Sequence, residues 1–76
     1  MYDPAAELML TLAAGAEADE TFAANFVRLA GLAETNGQTE IADTFYSQAR
    51  LHRAKAIELR ARLGALVEEY GPPASR

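Results

Sequence analysis

The stretch AETNGQTEI at residues 33–41 separates two long segments of helical periodicity in a chain of 76 residues. Asn36-Gly37 combines two residue types that tolerate the left-handed backbone conformation with which many helices end. Thr39 is then the predicted N-cap residue of a second helix, with Asp43 in its first turn. Because so few residues join the two segments, the helices must fold back on each other as an antiparallel hairpin.

The first segment predicts a helix over residues 4–35. Asp3 offers an N-cap oxygen to the free amides, and Pro4 stands where a missing N–H costs nothing. Gly15 weakens the helix by about 1 kcal/mol relative to alanine, but the apolar stripe keeps its phase across it, so we expect a continuous helix. Asp19 fills the one gap in this stripe, whose apolar members are Leu8, Leu12, Ala16, Phe22, Phe26, Leu29 and Ala33.

The second segment predicts a helix over residues 39–70. Gly71-Pro72-Pro73 stops it, and residues 71–76 are predicted to be a frayed tail. His52 lies inside the apolar stripe of this helix, just as Asp19 lies inside the first stripe. The phenylalanines of both stripes are predicted core residues. The stripe of the second helix consists of Ile41, Phe45, Ala49, His52, Ala56, Leu59, Leu63, Leu66 and Tyr70.

Length and composition predict one all-α domain over residues 1–76. A chain of this size buries too little surface to be comfortably stable alone, and apolar residues also flank both stripes. A second copy would cover them, so we expect a homodimer or higher homo-oligomer that forms a four-helix bundle. Docking of the stripes onto a different partner protein is the alternative.

The net charge of −4 argues against a nucleic-acid partner. The first half is acidic, whereas the second helix carries a cluster of bases that could complement it or, alternatively, bind phosphate. The chain contains no cysteine, and nothing in it predicts a signal peptide or a membrane span. We expect a cytoplasmic protein.

Asp19 and His52 are the residues that could carry chemistry. Asp19 lies 18 positions before Gly37 and His52 lies 15 positions after it, which places them about 4.5 Å apart along the hairpin axis. Carboxylate and imidazole ligands suit iron, manganese or zinc, so a single ion held between two chains by Asp19, Glu20 and His52 is one prediction. The other is a polar cluster that fixes register, in which Asp19 binds His52 or Lys55.

Residues 19–55 resemble the first hairpin of the rubrerythrin branch of the ferritin-like superfamily. The likeness rests on core and turn residues, namely Phe26-x-x-Leu29-Ala30-x-x-Ala33, Glu34-Thr-Asn-Gly37 and Glu40-Ile-Ala42-x-x-Phe45-x-x-x-Ala49. In that family a glutamate of the first helix and a Glu-x-x-His motif of the second help to hold two irons. The corresponding positions here are Asp19, His52 and Lys55, none of which is the residue of the family.

The resemblance implies a ferritin-like four-helix bundle with a degenerate or altered metal site, which we expect to act as an assembly or accessory protein. A metal-dependent oxidoreductase or iron-binding protein, with the site built between two chains, is the first alternative. A ligand-free interaction module is the second. His52-x-x-Lys55 also resembles histidine phosphotransfer domains, but Ala56 replaces their following glycine, and the stripe position disfavours an exposed histidine.

Overall fold

The computed structural model describes residues 2–73 as a hairpin of two helices that pack against each other. Helix α1 spans Pro4–Thr35 and helix α2 spans Thr39–Tyr70, so both predicted ranges are confirmed, including the continuity of α1 through Gly15. The molecule measures 55 × 18 × 14 Å, since 32 residues of α-helix extend about 48 Å. Of the predicted tail, residues 74–76 lie outside the described part of the chain.

The connection between the helices depends on one glycine. Gly37 has φ of 74°, whereas Asn36 keeps a negative φ, so only the glycine adopts the left-handed conformation. The N–H of Gly37 donates to the carbonyl of Glu34 at 3.0 Å, and the N–H of Gln38 donates to that of Ala33 at 2.8 Å. This pair of bonds is a Schellman motif, which satisfies the last carbonyls of α1.

The start of α2 differs from that of α1. The side chain of Asp3 accepts hydrogen bonds from the backbone amides of Ala5 and Ala6, as predicted. The N-cap of α2 is Gln38, which makes no side-chain capping bond. Thr39 is already helical, so its prediction as the N-cap is wrong. The reason is the tightness of the turn, in which the residue that closes α1 also begins α2.

The core between the helices is a line of small side chains that we call the alanine seam. Its members recur mainly at intervals of seven residues, which keeps them on the side of each helix that faces the other. Alanine side chains are short, so the two backbones can approach closely. Met9 is the largest fully buried side chain among residues 2–73. The seam consists of Met9, Ala16, Ala23, Ala30 and Ala33 in α1 and of Ala42, Ala49 and Ala56 in α2.

Larger apolar side chains flank the seam instead of filling it. Phe22 is 53% exposed, so its prediction as a core residue is wrong for the hairpin. Phe26 and Phe45 are partly buried, with ring centroids 6.0 Å apart. Close contact at the alanines leaves no room for these rings between the helices, and they lie along one side of the hairpin.

We call this side the outward face. Its margin includes the exposed side chains of Leu8 and Phe22 from α1 and Ile41 from α2. At the end near the termini, Leu8, Leu12 and Leu66 line one groove. Within residues 2–73, no helix has the length and hydropathy that crossing a membrane requires. The partly buried residues of the outward face are Leu12, Asp19 and Phe26 in α1 and Phe45, His52, Leu59 and Leu66 in α2.

Candidate functional site

The polar site at the centre of the outward face is formed by Asp19 and His52. The Nδ1 atom of His52 lies 2.7 Å from the Oδ1 atom of Asp19, which confirms that the two side chains can meet across the hairpin. An ionised carboxylate has no proton to give, so the hydrogen of this bond belongs to Nδ1. Of the two predicted partners of Asp19, His52 is the one that makes the contact, and Lys55 is exposed.

Two phenylalanines hold the imidazole in place. The ring of Phe26 stacks on that of His52 with centroids 5.6 Å apart, and the ring of Phe22 lies tilted at 5.2 Å. The side chains of His52 and Asp19 are 20% and 16% exposed. Because the rings and the carboxylate together restrict the imidazole, His52 does not stand free on the surface as a phosphotransfer histidine would.

The second ring nitrogen of His52 has a different environment. Among the described residues none makes a hydrogen bond to Nε2, and no fully buried side-chain nitrogen or oxygen there lacks a partner. The Nε2 atom therefore reaches solvent at the outward face. In a neutral imidazole that donates from Nδ1, this atom carries the free lone pair.

Glu20, the third predicted metal ligand, is engaged elsewhere. Its carboxylate contacts the guanidinium of Arg60, and both side chains are about half exposed. Residues 2–73 contain no group of three or more histidine, cysteine, aspartate or glutamate side chains that could hold a metal ion. Within one hairpin, Asp19, Glu20 and His52 do not form a ligand set, and a site between two chains stays a prediction.

The di-iron centre of rubrerythrins does not fit this hairpin. That centre needs bridging carboxylates, whereas among residues 2–73 the carboxylate in contact with His52 is that of Asp19, which already accepts a hydrogen bond. At the position to which the resemblance assigns the family's histidine stands Lys55, whose ammonium group has no lone pair to offer a metal. We therefore derive no chemistry through a di-iron centre.

The basic residues of α2 are partly used in local contacts. Arg60 binds Glu20 of α1, which is the predicted kind of complementarity between the helices, while Arg62 contacts Glu58 within α2 at 2.7 Å. Arg50 donates to the hydroxyl of Ser47 at 3.1 Å. Several bases of the cluster that could bind phosphate are therefore engaged in separate local contacts.

The three tyrosines lie outside the polar site. The hydroxyl of Tyr46 donates to the carboxylate of Glu34, and this hydrogen bond raises the pKa of Tyr46 above its ordinary value. The hydroxyl of Tyr2 makes an equivalent bond to Glu7, with the same effect on the pKa of Tyr2. Both phenols are held in their protonated form, which fits a structural role.

The sequence did not predict that Phe22 and Phe26 contact the imidazole of His52. Phe22 and Phe26 follow Asp19 by three and seven residues, which places all three on one side of α1. That spacing is a usable signal, but it fits equally well the core position that the sequence predicts for both rings. Only the packing of α2 shows that the imidazole lies against both of them.

No protein-family model, curated protein or solved structure matches this chain. The resemblance to rubrerythrins stays a prediction from the residues that carry it.

Proposed function

We propose that the protein is a small self-assembling helical bundle of ferritin-like architecture that acts as an assembly or accessory protein. Two hairpins pack their outward faces together and form a four-helix bundle. In this bundle the polar site of Asp19 and His52 sets the register of the two copies and has no catalytic role.

The observation that carries the proposal is the distribution of side-chain size. The contact inside the hairpin is made by alanines, whereas the outward face holds phenylalanine, leucine and isoleucine side chains that are partly or largely exposed. A group of exposed large apolar side chains on one face of a small protein is typical of a protein interface. The largest apolar groups are therefore available to a second molecule.

The surface area of the chain supports a second copy as that molecule. The hairpin exposes 5322 Å², whereas a compact monomer of 8.2 kDa exposes about 4,500 Å². The excess of about 800 Å² is similar in size to the area that each partner contributes to an interface of standard size. A two-fold dimer buries the same face on both copies, so one self-complementary surface suffices.

The polar site supplies the specificity that an apolar face lacks. Leucine and phenylalanine side chains can pack in several registers with similar energy, but an imidazole and a carboxylate are costly to bury against apolar groups alone. Arrangements that place the two polar sites at the same height avoid that cost. A single polar position in an apolar interface fixes the register of coiled coils in this way.

Sedimentation equilibrium of the full chain in EDTA tests the proposal. We expect twice the chain mass of 8.2 kDa at micromolar concentration, and a monomer for Phe22→Asp, which puts a charge into the outward face. Ile57→Asp is the matched control, because Ile57 is 70% exposed and lies five residues from His52, nearly opposite it around α2. A folded wild-type monomer would contradict the proposal.

The contact between Asp19 and His52 favours iron binding or metal-dependent oxidation as a second candidate. A carboxylate that orients an imidazole is a common feature of metal sites. The oxidation of Fe²⁺ in air by the purified dimer, compared with that by His52→Gln, tests it. A rate no faster than that in buffer would rule out the oxidase.

A further inference from the structure

We propose that the dimer binds one divalent transition-metal ion of the zinc type between the Nε2 atoms of its two His52 side chains. In this arrangement Asp19 is a positioning residue that orients the imidazole and does not touch the metal. The inference rests on the proposed dimer and adds to it a ligand and the atoms that bind it.

The first argument is the state of the imidazole. The bond from Nδ1 to Asp19, at 2.7 Å, assigns the proton of the neutral ring to that nitrogen and leaves the lone pair on Nε2. The rings of Phe22 and Phe26 limit the rotation of the imidazole. Histidine ligands of metals characteristically bind through one nitrogen and donate from the other to a carboxylate, as His52 does.

The second argument is the position of the site along the hairpin. Asp19 is the sixteenth of the 32 residues of α1, and His52 is the fourteenth of the 32 residues of α2. A two-fold axis perpendicular to fully overlapping hairpins exchanges their ends and maps only the midpoint onto itself. An axis parallel to them maps every height onto itself. The parallel axis brings the two His52 side chains to the same height, and the perpendicular axis separates their positions by about 7.5 Å along the bundle, a distance that two histidine side chains together can span.

The third argument is the cost of burying two acceptors. When the outward faces close, each Nε2 lone pair loses water, and an unsatisfied buried acceptor costs about 1–3 kcal/mol. Two lone pairs cannot bond to each other, and the neighbouring rings of Phe22 and Phe26 offer no donor. One cation between the nitrogens satisfies both. Imidazole suits zinc, copper and nickel better than magnesium or calcium, and water can complete a tetrahedral shell.

Lys55 provides an independent probe of the charge at this site. It lies one helical turn from His52 on α2 and is exposed, so its ammonium group repels a bound cation across a short distance. Removal of that charge should tighten the binding of the metal. A purely structural role of His52 would not produce this effect.

Calorimetric titration of the metal-free, untagged chain with Zn²⁺ tests the inference, with sedimentation in EDTA and in Zn²⁺ measured in parallel. We expect one Zn²⁺ per two chains. His52→Gln should abolish binding while it keeps the helix content measured by circular dichroism. Asp19→Asn should weaken binding about tenfold without abolishing it, and Lys55→Ala should strengthen it.

The outcomes separate this inference from the proposed function. A dimer in EDTA that does not bind Zn²⁺, or that binds it equally well as His52→Gln, overturns the metal site and leaves the proposed function intact. Binding that disappears in Asp19→Asn overturns the positioning role of Asp19. A monomer in EDTA that dimerises with Zn²⁺ supports the site and contradicts metal-free assembly, and a monomer under both conditions overturns both proposals.

Discussion

The alanine seam and the outward face lie on the same two helices but differ in how completely their side chains are buried. In the seam, small side chains are fully buried because the opposite helix is close enough to cover them. On the outward face, larger side chains of α1 and α2 contact each other across the hairpin but stay partly or largely exposed. Two helices can complete a core of alanines by themselves, whereas a core of phenylalanines and leucines needs additional helices.

The largest expected effect comes from enlarging a residue of the seam. Ala49→Leu should destabilise the hairpin by about 3 kcal/mol, since overpacking forces the closely spaced helices apart, and should lower the Tm by more than about 12 °C. Thermal unfolding followed by circular dichroism measures the change. Ala54→Leu on the exposed side of α2 is the control and should change stability by less than about 0.5 kcal/mol. Equal Tm values for the two variants would show that the seam is not tightly packed.

Replacement of the polar site tests what distinguishes the outward face from an ordinary apolar surface. Asp19→Leu alone should cost about 2 kcal/mol, because the Nδ1–H of His52 loses its acceptor. The double variant Asp19→Leu/His52→Leu should recover that loss, because neither polar group is then left without a partner. Urea unfolding at one protein concentration compares the wild type, both single variants and the double variant. Additive losses in the double variant would exclude the polar contact as the cause.

The two glycines of α1 lie in different surroundings, one closely packed and the other open. A Cβ atom at Gly15 would lie 3.2 Å from the Cδ1 atom of Leu59, whereas one at Gly31 would meet nothing within 4 Å. Gly31→Ala should therefore stabilise the protein by about 1 kcal/mol through helix propensity, and Gly15→Ala should gain less because Leu59 must shift. The free energies of unfolding of the two variants give the comparison. A larger gain at Gly15 would mean that the packing there is loose.

The smallest effect concerns a contact at the edge of the core. Glu34→Gln should lower the pKa of Tyr46, because the carboxylate that accepts a hydrogen bond from its hydroxyl raises that pKa. The folded pKa exceeds the unfolded value, so the contact stabilises the fold below about pH 10 and is lost as pH rises through the folded pKa. Ultraviolet titration of the phenols checks this, with Glu7→Gln, which should shift Tyr2 instead, as the control. No change at Tyr46 would contradict the assignment.

Local signals predicted the hairpin well. The helix bounds followed from the Asp3-Pro4 start, from Gly37 and from Gly71-Pro72-Pro73, since each of these acts within one turn of its own position. The contact between Asp19 and His52 followed from counting residues away from the turn. The prediction of Thr39 as an N-cap failed because Gln38, the last residue of the Schellman motif, is also the first residue outside α2. The end signal of α1 and the start signal of α2 overlap, and neither signal by itself reveals this overlap.

Hydrophobicity was a weaker guide to the core. Phenylalanine attracts a core prediction more strongly than alanine, yet Ala23, Ala30 and Ala42 are buried while Phe22 is 53% exposed. The recurrence of alanine at intervals of seven residues was present in the sequence. This recurrence predicts a core only if the two helices lie close together, and the distance between the helices depends on which surfaces of α1 and α2 pack against each other.

The sequence by itself determined two long helices, the turn between them and the height at which Asp19 faces His52, because capping, glycine conformation and rise per residue are local properties. Only the tertiary structure decided which stripe residues are covered, that Phe22 and Phe26 hold the imidazole, and that Glu20 binds Arg60. Those outcomes depend on the rotation of each helix about its own axis, and that rotation is set by the fit of one helix surface against the other.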